Sequence, residues 1–566
     1  MRVPHTCKRI LALVVLILIT ATPSFGLNNS YEEFSARVDS IFTAETAADA
    51  PGAAAAVIEH GNVIYCRCFG LANLEHKVSI TNETVFNLAS VTKQFTSLAV
   101  LLLEQEGKLH LDDDIHKYFP ELPEYDATVT LRNLLNHTSG LWEYSKMFRY
   151  YGGHKPADYT SIEEVLALLK GQDQLLFAPG SQWVYCNTNY ALLGELVARV
   201  TGESLASWTA DHIFKPLGME HTLFQDDCFR VIPNGADCYY KTDGIYYEDP
   251  RNSDVVGPSY LYSTIDDMTL WLDNFRQRTV GGDSLIERMC RKSTLTDGSE
   301  SSYGYGLGIL ERNDRQIISH SGQTGSFNTM VIYVPEDELG MAILANNRGI
   351  RAERLAYRIL DLFYGKEEKQ QEAVQAAEPE PFISLDSANM EGLEGAYLID
   401  GNMGKLLLSR LGRGFYGIFD GYASDFFRPI SDSQFVNNLR NVSISIHRDG
   451  GRKAARLMLD LKKSGNIMWA SRIDAPMVTS EQLAADYAGT YYSDALGIAY
   501  NVIVDDDKLV IRHHRYSDRP LQLTDKDEFV GDIGIVRFSR NEQGLVVTFG
   551  ISDEDTNFRP LIFKRM

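Results

Sequence analysis

The chain has 566 residues, and its 76 acidic against 54 basic side chains give a formal net charge of −22. A surface of that sign repels nucleic acid and anionic lipid, which argues against a phosphate-backbone binder, and the length predicts roughly two to four domains.

Arg2, Lys8 and Arg9 precede an apolar run from Ile10 to Ile19, and small or polar residues follow through Ser24 and Gly26. This pattern predicts a secretory signal peptide over 1–26, because the run falls short of the roughly 20 residues that span a bilayer. The mature chain is then expected to be secreted or periplasmic, with no membrane span after signal removal. Cys7 leaves with the signal. Of the later cysteines, Cys228 and Cys238 flank a loop and are the better disulfide candidates. Cys66 and Cys68 sit two apart on one strand face, at the edge of disulfide reach, and Cys186 and Cys290 read as buried free thiols. No spacing resembles a zinc site, so no metal and no cofactor are expected.

The segment "GAAAAVIEHGNVIYCRCFG" predicts a hairpin turning at His60-Gly61-Asn62. From Ser90 to about Gly218 the pattern is mainly helical. Leu192, Leu193, Leu196, Val197 and Val200 repeat at helical spacing, with Gly202 placed to end that helix. Strand patterns return at "RQIISH", "NTMVIYVP" and "GMAILANN", before a helix with Leu355, Ile359, Leu362 and Phe363 on one face. Strands at both ends of 30–365 with helices between predict an α/β domain whose sheet is closed by the two ends of the segment. "KEEKQQEAVQAAEPEP" marks a linker, 366–385. Beyond it, short alternating strands predict all-β structure, and Gly-x-Tyr recurs at "LEGAYLID" and "YAGTYYSD". That repeat predicts two barrels or sandwiches in tandem, 386–476 and 480–566.

Three motifs carry chemistry. In "NLASVTKQF", Ser90 and Lys93 are i and i+3 on the first turn of an apolar helix, so the amine can reach the hydroxyl. Burial would lower the lysine pKa towards that of a base. Tyr185 and Asn187, on a loop before the next helix, offer a proton-relaying phenol and an amide; a buried tyrosine beside a helix-capping asparagine is the plainer reading. His320-Ser321-Gly322 stands at a strand end, where glycine would admit a substrate backbone.

The ordered set S-x-x-K, Y-x-N and H-x-G resembles the serine β-lactamase and penicillin-binding superfamily, in its class C-like branch with D-aminopeptidases, D-Ala-D-Ala carboxypeptidases and esterases. The segments "TLRNLLNHTSGL", "FAPGSQWVYCNTNYALLGELV" and "IFKPLGMEHTLF" are similar to connecting segments of that branch. The resemblance implies an antiparallel sheet flanked by helices with a helical subdomain, followed by lipocalin-like β-barrel domains. It implies Ser90 as acylated nucleophile, Lys93 as its base and Tyr185 as proton shuttle. Asn187 would hold Lys93 and the substrate amide, with His320 and Gly322 as further substrate contacts. The backbone N–H groups of Ser90 and Gln323 would form the oxyanion hole. No carboxylate for deacylation is visible, and the branch uses none. The C-terminal modules then either stabilise the chain or send a loop into the cleft.

Where relatives carry a permanent lysine cation, this sequence has His320, expected to be partly charged at neutral pH and so a weaker, pH-dependent carboxylate anchor. The reading is therefore an exported serine hydrolase of small amides or esters, D-amino-acid peptides foremost. The alternatives are a β-lactamase or penicillin-binding carboxypeptidase on the same scaffold, and a secreted binding or matrix protein without turnover.

Overall fold

A computed structural model describes residues 25–148, 152, 157–250, 252–365 and 392–566, leaving aside in the last range 402–404, 412–413, 420–421, 438–441, 449–453, 462–465, 474–475, 477, 516–517, 532 and 553–559. Nearly all of the expected signal peptide, with Cys7, and the expected linker at 366–385 lie outside the described residues.

The N-terminal part comprises α1 (Phe25–Glu45), β1 (Ala53–Glu59), β2 (Asn62–Phe69), α2 (Lys93–Gln105), α3 (Leu131–Leu135), α4 (Ile162–Lys170), α5 (Asn187–Thr201), α6 (Ile265–Gln277), β3 (Gly308–Arg312), β4 (Arg315–Thr324), β5 (Phe327–Val334), β6 (Leu339–Ala345) and α7 (Ala352–Phe363), with shorter elements between. The sheet runs β3-β4-β5-β6-β1-β2, and each neighbouring pair is antiparallel. Sequence-distant β1 and β6 pair along their full length, Ala53 with Ala345 through Glu59 with Leu339, so the two ends of the segment close one sheet. The first hairpin turns at His60 and Gly61, both in the left-handed region that such two-residue turns require.

Strand β1 is buried along nearly its whole length because both faces are covered. Ala53, Ala55 and Val57 pack with Val38 and Phe42 of α1 and Leu355 and Ile359 of α7. Ala54, Ala56 and Ile58 face the other cluster, with Phe95 and Leu98 of α2 and Trp271 of α6. An unbroken apolar run therefore folds here as a strand between two helical layers. Gly202 ends α5 in the left-handed conformation, as its position predicts.

The C-terminal part forms two closed barrels of eight strands each, from Gly395–Ile399 to Asn466–Arg472 and from Gly489–Ser493 to Leu561–Arg565. The repeated Gly-x-Tyr has the same function in both. Tyr397 donates to Leu393 O at 2.7 Å and lies under the Arg472 guanidinium. Tyr491 donates to Tyr487 O at 2.8 Å and lies under that of Arg565. Each arginine comes from the last strand, so tyrosine and arginine clamp first strand to last where the barrel closes. Gly395 holds φ 144°, a conformation that residues with a side chain rarely adopt, which favours glycine there.

The second barrel rests on α4 and the segment that precedes it. Gln172 Nε2 donates to Ala495 O at 3.4 Å, Arg515 pairs with Asp158 at 2.8 Å, and Ala495 and Leu496 join the larger apolar cluster.

All six cysteines among the described residues are free thiols. This corrects the expectation of a Cys228–Cys238 bridge. Both line one cavity, where Cys238 hydrogen-bonds the Asp249 carbonyl instead. Cys66 and Cys68 share a strand face as expected, and both turn towards Asn82 Oδ1. Cys186 is buried and Cys290 half-buried. Among the described residues no helix is long and apolar enough to cross a membrane, and no cluster could hold a metal ion.

Candidate active site

Ser90 lies in a 3-10 turn, Ala89–Thr92, that runs directly into α2. Ala89, one residue before it, is held at φ 50°, a conformation costly for a residue with a Cβ. Its N–H is taken by Asn87 Oδ1 at 2.8 Å and its methyl packs beside β4. A Cβ on Gly322 would meet Leu88 O at 2.5 Å and the Ala89 Cβ at 3.0 Å. Gly322 thus admits the turn that carries Ser90, where the sequence reading had it admitting substrate.

Lys93 is fully buried. Its Nζ lies 3.1 Å from Ser90 Oγ, 2.8 Å from Asn187 Oδ1 and 2.8 Å from Pro258 O. Burial pulls its pKa down to about 7, against the opposing pull of the Glu143 carboxylate. A neutral amine has two N–H donors and one lone pair. With two carbonyl oxygens taking the donors, the lone pair faces Ser90, the arrangement a general base requires.

Two features of the chain bring these acceptors in. Glu143 accepts from both the backbone N–H and the Nδ2 of Asn187, capping the start of α5 and turning Oδ1 towards Lys93. Asn187 is therefore not itself the helix cap. Pro258 arrives because Gly194 and Gly257 let its segment lie on α5: a Cβ on Gly257 would meet Tyr190 O at 2.3 Å.

Tyr185 packs beside Lys93, its ring 4.8 Å from Nζ, and burial raises its pKa, so it stays a protonated phenol. Its ring packs against that of His137, tilted by 41° with centroids 4.4 Å apart. His137 Nδ1 accepts from the Cys186 N–H at 3.2 Å, which fixes the backbone between Tyr185 and Asn187. Burial, with the nearby Lys93 and His320, holds His137 neutral, its pKa well below the ordinary value.

His320 departs from expectation. It is buried beneath Tyr303, and burial, reinforced by Lys93, lowers its pKa to about 3. Nδ1 lies 2.6 Å from Ser321 O and can only donate there, so Nε2 accepts from the Tyr303 hydroxyl at 2.9 Å. The imidazole is neutral throughout the physiological range, so the expected pH-dependent cation is absent.

A cavity of about 490 Å³ opens on Ser90, lined among others by Asn187, Tyr260, Gln323, Thr324 and Arg348. Strand β3 covers β4 only as far as Ser319, so Gln323 lies on a stretch of β4 that β3 leaves uncovered. His320 and Gly322 stand behind the wall of this cavity. The sequence reading missed Glu143, His137, Pro258, Tyr303 and Arg348. Glu143 and His137 fall within or beside the quoted "TLRNLLNHTSGL" segment, whereas Pro258 acts through its carbonyl and leaves no side-chain signal.

A serine on a strained turn beside a desolvated lysine, set against one strand of an antiparallel sheet between helical layers, defines a β-lactamase-like fold and site. Residues 38–363 match the Beta-lactamase family, and the chain belongs to it. It is 29% identical to Protein flp of Staphylococcus aureus (strain MW2) over 320 residues, covering 52% of this chain and 59% of that protein. It is 28% identical to a D-aminopeptidase of Gluconobacter oxydans over 319 residues, 56% of this chain and 60% of that one. The matches thus span about three-fifths of these relatives' lengths. Among solved structures, the octameric penicillin-binding protein homologue from Pyrococcus abyssi is similar with a TM-score of 0.53 at 22% identity, over 78% of this chain and all of that one, which speaks to the fold.

Proposed function

We propose that the protein is an exported serine hydrolase acting through an acyl-enzyme on small amides or esters, D-amino-acid peptides foremost. The observation that carries the reading is the Lys93 amine, held by Asn187 Oδ1 and Pro258 O with its third position on Ser90 Oγ. In this reading Ser90 Oγ attacks the carbonyl carbon and passes its proton to Lys93. Negative charge gathers on the carbonyl oxygen between the N–H groups of Ser90 and Gln323. The C–N or C–O bond breaks as the leaving atom takes a proton from Tyr185, and Lys93 restores that proton. Water then attacks the acyl carbon, its proton returns through the same groups to Ser90, and the free acid leaves.

The D-aminopeptidase relative supports the amide reading. A neutral His320 weighs against a β-lactamase or carboxypeptidase, which relies on a fixed cation for a leaving-side carboxylate. His320 instead holds Tyr303 in place. A fluorophosphonate should add its mass to the peptide containing Ser90, and Ser90→Ala should abolish labelling; labelling elsewhere sinks the assignment. D-aminoacyl p-nitroanilides, short-chain esters and D-Ala-D-Ala peptides, assayed side by side, then read the leaving group.

A further inference from the structure

We infer that Arg348 selects substrates whose acyl portion carries a carboxylate, a refinement that rests on the hydrolase reading above. Among the described residues, Arg348 is the one charged side chain lining the cavity onto which Ser90 opens. Its guanidinium is about half exposed, while the Asp249 carboxylate that pairs with it is 7% exposed. Asp249 takes one guanidinium nitrogen, Nη2, and also accepts from Ser326 Oγ at 2.8 Å. The Tyr240 ring lies 5.1 Å from the guanidinium carbon. Nη1 and Nε have no hydrogen-bond partner among the described residues. A guanidinium anchored on one side by a buried carboxylate and an aromatic face, and half exposed beside the cavity, is pre-ordered to receive an anion.

The direction follows from the strand. Ser326 lies in the turn between β4 and β5, and Arg348 follows the end of β6 that pairs with the start of β5, so both stand at the opposite end of the β4 segment from His320, roughly 13 Å away at strand rise. The proposed oxyanion hole at Gln323 lies between them. The leaving atom takes its proton from Tyr185, whose ring is 6.2 Å from that of His320, so the leaving group departs on the His320 side. The acyl group therefore extends towards Arg348. An acidic D-amino acid, joined through its α-carbonyl with its side-chain carboxylate turned to Arg348, has the required chemistry.

D-Glutamyl and D-glutaminyl p-nitroanilides differ in that charge and little else. The wild-type protein should prefer the glutamyl compound in kcat/KM by at least tenfold, and Arg348→Gln should collapse this ratio at least tenfold, with Arg348→Lys intermediate. An unchanged ratio, or a wild-type preference for the glutaminyl compound, overturns the inference. Calorimetric titration with glutarate, wild type against Arg348→Gln, reads the site independently of turnover. Binding weakened at least tenfold by the substitution supports Arg348, and absent or unaltered binding overturns it. Failure of the fluorophosphonate to label Ser90 would instead strike the hydrolase reading. Melting curves of both variants separate misfolding, since each substitution alters the ion pair with the buried Asp249.

Discussion

Lys93 Nζ stands 3.1 Å from Ser90 Oγ while both of its remaining hydrogen-bond partners are carbonyl oxygens. With a pKa near 7, the amine becomes the competent base as pH rises through neutrality. In the acylation step kcat/KM should climb about tenfold per pH unit below 7 and level off above it. Lys93→Arg, which stays charged, should lose at least about a thousandfold and show no such limb. Stopped-flow acylation at constant ionic strength checks both, and a limb centred near pH 4 or 5 would assign the base elsewhere.

The same shift ties stability to pH. Unfolded, Lys93 binds its proton up to about pH 10.4, and folded only up to about 7. Between those values the unfolded chain holds the extra proton, so raising the pH stabilises the fold, by up to about 1.4 kcal/mol per unit. Lys93→Met removes this dependence and leaves two carbonyl acceptors unsatisfied at every pH. The stability advantage of wild type over Lys93→Met should therefore widen from pH 7 to pH 10 in urea melts. A constant difference over that window would mean that Lys93 is not desolvated as described.

Tyr185 is a buried, protonated phenol beside Lys93, suited to donating rather than accepting a proton. Its loss should matter in proportion to how badly the leaving group needs that proton. Tyr185→Phe should cost about 10²- to 10⁴-fold in kcat for an alkyl amide, and far less for a p-nitrophenyl ester, whose leaving oxygen is stable as the anion. Equal losses on both substrates would assign the tyrosine a packing role.

The architecture was legible where chemistry repeats along the chain. Alternating and continuous apolar runs gave the sheet, because a strand covered on both faces must be apolar at every position, and Ala53 to Ile58 is. Gly395-x-Tyr397 and Gly489-x-Tyr491 gave the paired barrels, though their arginine partners lie in strands too distant in sequence to be assigned beforehand. Ser90, Lys93, Tyr185 and Asn187 were nameable because short spacings place each pair on one turn or loop. The state of His320 was not legible: its charge depends on Tyr303 covering it, and a residue's neighbours across the sheet are not written beside it. Pro258 meets Lys93 across 165 positions through a backbone oxygen, a contact to which any residue could contribute. The thiols misled for a similar reason. Flanking a common loop brings Cys228 and Cys238 to one cavity, but bridging also needs Cβ vectors that converge.

The second barrel gives the last test. A Cβ on Gly171, just past α4, would lie 3.1 Å from Ala495 Cα and 3.3 Å from Ala495 O, both backbone atoms with little room to yield. Gly171 has φ −83°, which any residue adopts, so Gly171→Val strains the contact and not the helix end. The substitution should pry the Asp494–Gly497 turn away, taking with it the Gln172 bond to Ala495 O and the Arg515–Asp158 pair. That ion pair is exposed enough to contribute less than about 1 kcal/mol, so apolar contact at Ala495 and Leu496 is the larger loss. Small-angle scattering should show a larger radius of gyration, and melting should split into separate transitions. Among the described residues no barrel side chain lines the cavity at Ser90, so turnover of small p-nitroanilides should stay within about twofold. A steep fall in kcat/KM with the helices still folded would show that the barrel shapes the cleft, the role of an inserted loop and not of a supporting module.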